Sequence, residues 1–229
     1  MVSGIIGFIF IREKPPSEIP PKKKFYTEIK ELVDITLLKN QVNFFKVIIA
    51  SSIYQTGIGC VMAFLFPLLT SEEFPFGMTG LLIAIAIGFV ALILTVIFLG
   101  RLADKYGRKK LLPLIIFLIS IAFMFIPFSI YTANLVIFII VTPFMLMGLL
   151  GLNTVINAWA QDTLPEGKKG QFYGIFNITL TVPQIIGGVV GGIVSVTFGR
   201  PMIFIAGAIF FLISIPLFLI IKETLDFKK

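Results

Sequence analysis

Eight polar residues and one glycine interrupt otherwise apolar runs at helical intervals. Ser52, Gln55 and Gly59 stand at offsets of three and seven, and Asn153, Asn157 and Gln161 are each four apart. Asn177, Thr181 and Gln184 follow the same rule, with Pro183 placed to kink their helix and free backbone carbonyls. Amides and hydroxyls both donate and accept hydrogen bonds, which suits a hydroxyl-rich ligand such as a sugar. The same groups also serve as glue between helices, at about 0.6 kcal/mol per bond, and the spacing alone leaves both roles open. Covalent or metal chemistry has little to work with. The chain has no His and a single cysteine, Cys60, so neither a His/Cys metal site nor a disulfide framework is expected. No nucleophile–base pair can be assembled from these stretches, and no G-x-x-x-x-G-K-[ST] phosphate loop is present. The chain reads as a binder without a cofactor, not as an enzyme.

The elements that must carry these residues follow from composition. Hydrophobic residues make up 57% of the 229 positions and charged residues 14%, with a mean hydropathy of +1.02. So few charges cannot cover a water-facing surface of this size, so the expected solvent is lipid. About 20 apolar residues cross the hydrocarbon core as a helix. Val47–Leu69, Gly80–Leu99, Leu111–Ile130, Leu135–Trp159, Phe172–Phe198 and Met202–Ile221 qualify, and none contains Asp, Glu, Lys or Arg. A barrel would alternate apolar and polar residues in runs of about ten, and these runs are continuous. The expected fold is an all-α membrane protein with a bundle of six transmembrane helices over residues 42–222.

Charge sets the orientation. Of the 19 Lys and Arg residues, 18 lie before the first run, after the second, after the fourth or after the sixth, leaving only Arg200 for the other connections. Positive charge stays on the cytoplasmic side, so a multi-pass protein of the plasma membrane with both termini in the cytoplasm is expected. The net charge of +7 therefore reflects topology, and nucleic acid is not an expected partner. Val2–Ile11 is apolar, too short to span, and followed by positive charge instead of preceded by it. Residues 1–11 thus read as the last turns of a preceding truncated helix. Residues 12–41 read as a cytoplasmic linker, extended around Pro15, Pro16, Pro20 and Pro21, with an amphipathic helix at Phe25, Ile29, Leu32 and Val33. Residues 223–229 form a cytoplasmic tail.

Gly100–Lys110 reads G-R-L-A-D-K-Y-G-R-K-K and is expected to be a two-turn connection in which Gly100 and Gly107 permit tight turns. Asp104, the one acid among five bases, is expected to be ionised and paired. The string resembles the signature loop of the major facilitator superfamily, G-x-L-A-D-[RK]-x-G-R-[RK]-[RK], matched here by Gly100, Leu102, Ala103, Asp104, Lys105, Gly107, Arg108, Lys109 and Lys110. In that family it follows the second helix of each six-helix half and acts as a cytoplasmic latch, which the resemblance assigns to Arg101, Asp104 and Arg108. A second stretch, G-x-x-x-G-I-F-N…P-Q at Gly170, Gly174, Ile175, Phe176, Asn177, Pro183 and Gln184, is similar to the eleventh helix of glycoside– and sucrose–cation symporters. The usual Arg before its first glycine is Lys169 here, which keeps the charge and loses the planar fork. Further along, Gly187, Gly188, Gly191 and Gly192 form two overlapping G-x-x-x-G patterns that allow close helix packing.

The resemblance implies the carboxy-terminal six-helix half of a secondary transporter, working by alternating access. Its implied partners are the bilayer, a small solute, a proton or sodium ion, and an amino-terminal half not contained in this chain. The spans hold no carboxylate, so the coupling residue is expected in that other half. Two other readings stand beside this one: half of a drug or metabolite exporter, and a split or truncated subunit inactive without a partner half.

Overall fold

The computed structural model describes residues 42–164 and 169–222. The expectations for residues 1–41 and 223–229 lie outside the described residues. Among the described residues, six helices are long and apolar enough to cross a membrane: Val42–Leu69, Gly77–Phe98, Lys109–Tyr131, Leu135–Asp162, Phe172–Phe198 and Arg200–Ile220. They are built from α1 (Val42–Leu69), α2 (Gly77–Tyr106), α3 (Arg108–Tyr131), α4 (Leu135–Leu146), a π segment (Met147–Gly151), α5 (Leu152–Asp162), α6 (Lys169–Phe198), a 3₁₀ turn (Arg200–Met202) and α7 (Ile203–Ile220). The expected all-helical membrane fold is the one observed, and α4, the π segment and α5 together make the fourth span.

The helices run beyond the apolar stretches. Helix α1 begins at Val42 and carries Lys46, and α2 continues to Tyr106. This corrects the expectation of a two-turn connection at Gly100–Lys110. Arg101–Tyr106 contains no helix breaker, and a glycine inside a helix costs only about 1 kcal/mol, so the helix passes straight through Gly100. The whole reversal falls on Gly107, at φ 89° and ψ 142°.

The turn between the fifth and sixth spans is built the same way. Gly199 has φ 97° and ψ 151°. Both glycines sit between an aromatic residue and an arginine, Tyr106-Gly107-Arg108 and Phe198-Gly199-Arg200. The two turns lie at opposite ends of the bundle, as an inverted repeat of three helices plus three requires. Such backbone angles are essentially reserved for glycine and cost other residues about 1–3 kcal/mol. At Gly199 a Cβ would also meet Tyr131 Oη at 3.2 Å. Gly199→Ala is therefore expected to lower stability by about 1–3 kcal/mol, read as a lower thermal midpoint in detergent. An unchanged midpoint would contradict the reading of this turn.

Neighbour relations repeat the symmetry. The first span packs on the fifth and sixth, the fourth packs on the second and third, and the third and sixth meet each other. The second and fifth spans thus lie at the edges, and they are the least covered by the bundle, at 22% and 11%.

Glycines set the closest approaches. A Cβ on Gly187 or Gly191 would overlap the carbonyl oxygen of Thr56 or Cys60 on α1, and one on Gly59 would overlap that of Gln184 on α6. Backbone therefore touches backbone between the first and fifth spans. Gly188 and Gly192 face side chains instead, Ala63 Cβ at 3.6 Å and Phe64 Cζ at 3.2 Å. Aromatic rings fill the centre on the other side of α1, where Phe211 stacks on Tyr54 at 4.7 Å and meets Phe123 edge-on at 5.0 Å.

Candidate functional site

Hydroxyls and amides behave differently in this bundle, for a chemical reason. A Ser or Thr hydroxyl can bond a carbonyl three or four residues back on its own helix. Thr95, Ser120, Ser129, Thr142 and Ser214 all do so, at 2.6–2.7 Å. Such residues need nothing from a neighbour. The amides of Gln and Asn reach further and must find partners, because lipid supplies none.

Three of them find one another. Gln184 Nε2 on the fifth span donates to Gln55 Oε1 on the first at 2.8 Å. Gln55 Nε2 donates in turn to Asn153 Oδ1 on the fourth at 2.7 Å. Asn153 Nδ2 ends the chain on the backbone oxygen of Leu149, at 3.3 Å. Gln55 is buried, 2% exposed, whereas Gln184 and Asn153 are half-buried. The result is a directional run of amides across three spans, buried in the middle and reaching the surface at both ends.

The backbone around it is adapted. Pro183 has no N–H, so the carbonyl of Thr179 four residues earlier lacks its helical partner. Ser52 Oγ on the first span donates to that oxygen at 3.3 Å. On the fourth span the π segment ends two residues before Asn153, and its Gly148 carbonyl accepts the Tyr54 hydroxyl. Such one-turn bulges recur at functional positions in helices. Tyr54, Gly148 and the π segment are not among the sequence-derived candidates. A buried tyrosine in an apolar run was the available signal for the first; nothing in M-G-L-L-G marks a π turn.

The remaining candidates stand outside this network. Asn157 is half-buried, whereas Gln161 is exposed near the end of α5. Asn177 and Thr181 are exposed on the outer face of the fifth span, and the Thr181 hydroxyl bonds the Asn177 carbonyl at 3.2 Å. Ser51 Oγ and Trp159 Nε1 are buried without a hydrogen-bond partner among the described residues. In the basic motif, Arg101 and Lys105 are exposed, Gly107 is buried and Lys109 is half-buried. The side chains of Asp104 and Arg108 lie outside the described residues.

The fold and this polar seam define a membrane protein of the transporter kind, and comparison with known proteins supplies the family. The profile of the Major Facilitator Superfamily matches residues 1–188 and again residues 47–226, and the chain belongs to that superfamily. It is also similar to the riboflavin transporter RibZ of Clostridioides difficile (strain 630), 34% identical over 114 residues. That alignment covers 48% of this chain and 24% of the relative. The chain therefore spans only a fraction of the length of the curated relative it matches.

Proposed function

We propose that this chain is the carboxy-terminal six-helix half of a secondary transporter. It moves an uncharged, hydroxyl-rich small solute, a sugar or glycoside, by alternating access coupled to a proton or sodium ion. The observation that carries this reading is the Gln184–Gln55–Asn153 run, which ties together three spans and ends half-buried at either side. Side chains that both donate and accept match hydroxyls well. Among the described residues, the charged side chains of the spans sit only in their first or last two turns, which supports an uncharged solute. The exposed Asn177 on a fifth span that is 11% covered supports a further helical half on that side, since an amide facing lipid is unfavourable. In this reading Gly100–Lys109 forms the cytoplasmic latch, the membrane is the plasma membrane, and both termini lie in the cytoplasm.

Uptake measured in cells or proteoliposomes tests it, with radiolabelled disaccharides and glycosides under an imposed proton or sodium gradient. Gradient-dependent sugar uptake above protein-free controls is the expected result. A second reading is favoured by the relative's printed activity: riboflavin is itself uncharged and bears hydroxyls and ring amides. Riboflavin uptake with no response to any sugar would replace the first reading with the second.

A further inference from the structure

The fifth and sixth spans both pack on the first span and only lightly on each other. Where they diverge, a groove of about 360 Å³ opens between the last turns of α6 and the first turns of α7. Val194 and Phe198 line one wall, Ile205, Ala206 and Ile209 the other, and Met202 the top. The walls are apolar, so neither water nor a hydrophilic solute is suited to them. From the Gly199 turn down to Ile209 the groove extends about 10 Å at 1.5 Å per helical residue, roughly a third of a 30 Å hydrocarbon core. It therefore runs parallel to the acyl chains of one leaflet.

The mouth of the groove is charged in an unusual way for this protein. Arg200 lies in the turn between Phe198 and Met202, and it alone among the 19 Lys and Arg residues falls outside the basic connections and termini. Its side chain is 44% exposed, and Glu73 Oε1 approaches Nη1 at 3.9 Å. This is a single contact at the outer limit of an ion pair. It leaves most of the five-donor fork to another acceptor, and phosphate matches that fork.

We infer that this groove is a phospholipid site in the leaflet opposite the basic loops, with one acyl chain between α6 and α7 and the phosphate on Arg200. Lipid is the occupant because it is the one molecule at that depth that combines a long apolar chain with an anionic group at the interface. Glu73 competes for the same arginine and tunes the site without filling the groove.

Native mass spectrometry of the 229-residue chain, released from nanodiscs of phosphatidylethanolamine and phosphatidylglycerol, reads the site directly. One phospholipid retained per chain is the expected result. Ile209 is 48% exposed, so Ile209→Trp fills the groove without disturbing the core, and Ala206→Leu fills it from the adjacent turn, at a position that is 8% exposed. Each is expected to lower retention by about tenfold or more through lost acyl burial. Val196→Phe, on α6 beside the groove wall but at a position 89% exposed, is expected to leave it unchanged. Arg200→Gln is expected to weaken phospholipid retention by about tenfold while sparing diacylglycerol, which has no phosphate. Retention that survives both groove-filling variants would overturn the site. Phospholipid retention that survives Arg200→Gln would overturn the headgroup contact.

Discussion

Replacing Gly187 by leucine is expected to separate the first and fifth spans and to abolish the folded state in mild detergent. A Cβ at this position would overlap the Thr56 carbonyl oxygen and approach Cys60 N at 2.9 Å. Both are backbone atoms of α1, so no rotamer change relieves the clash and the helices must move apart. Their separation also strips Gly191 and Gly59 of their contacts, since all three glycines lie along one seam. Alanine alone should cost about 1–3 kcal/mol through overpacking, and the three further carbons of leucine more. Gly188→Ala is the internal control, because the nearest atom to its Cβ is Ala63 Cβ at an ordinary 3.6 Å. Thermal unfolding followed by circular dichroism or size-exclusion recovery compares them. Equal midpoints for Gly187→Ala and Gly188→Ala would show that the seam is not where the spans are held.

The second large effect is expected at Gln55. Changing it to leucine removes the middle of the amide run, leaving Gln184 Nε2 and Asn153 Oδ1 without their partners. A polar group left unsatisfied costs about 1–3 kcal/mol when buried, and less at these two half-buried ends, which can turn outward. Stability is therefore expected to fall by about 1–2 kcal/mol. Uptake is expected to fall further, by about tenfold or more, because the half-buried amides of Gln184 and Asn153 lose the partner that orients them, and about 1.4 kcal/mol of lost solute binding is tenfold. Gln55→Glu separates the two effects. It still accepts from Gln184 but cannot donate to Asn153, so a purely structural role predicts parallel losses in stability and uptake. If Gln55→Leu transports normally despite a lowered midpoint, the amide run is glue and not a binding surface.

The number and placement of the spans were legible because lipid demands long uninterrupted apolar runs, and few other sequences provide them. Their ends were not. Lys46 and Arg101–Tyr106 are polar yet helical, because a helix emerging from the hydrocarbon loses no hydrogen bonds on reaching water. For the same reason the basic motif reads as a loop by composition and is a helix in fact, apart from Gly107. Helical spacing put Gln55, Asn153 and Gln184 on stripes. It did not reveal which amides would meet, since that depends on how three spans distant in sequence cross. Nor did it separate them from Asn177 and Thr181, whose stripe also holds Gln184 yet points away from the bundle. Pro183 was legible in one part, since a missing N–H implies a spare carbonyl; that Ser52 takes it depends on how the first and fifth spans cross. The π segment left no trace in composition.

The one-residue reversal at Gly107 has a mechanical consequence. With α2 helical up to Tyr106 and α3 helical from Arg108, the second and third spans are coupled like rods at a one-residue elbow, with no slack for either to slide alone. A shift of one span along its axis is therefore passed on to its neighbour. Lengthening that elbow by a few flexible residues would let the two rods move independently while leaving every membrane-embedded contact in place.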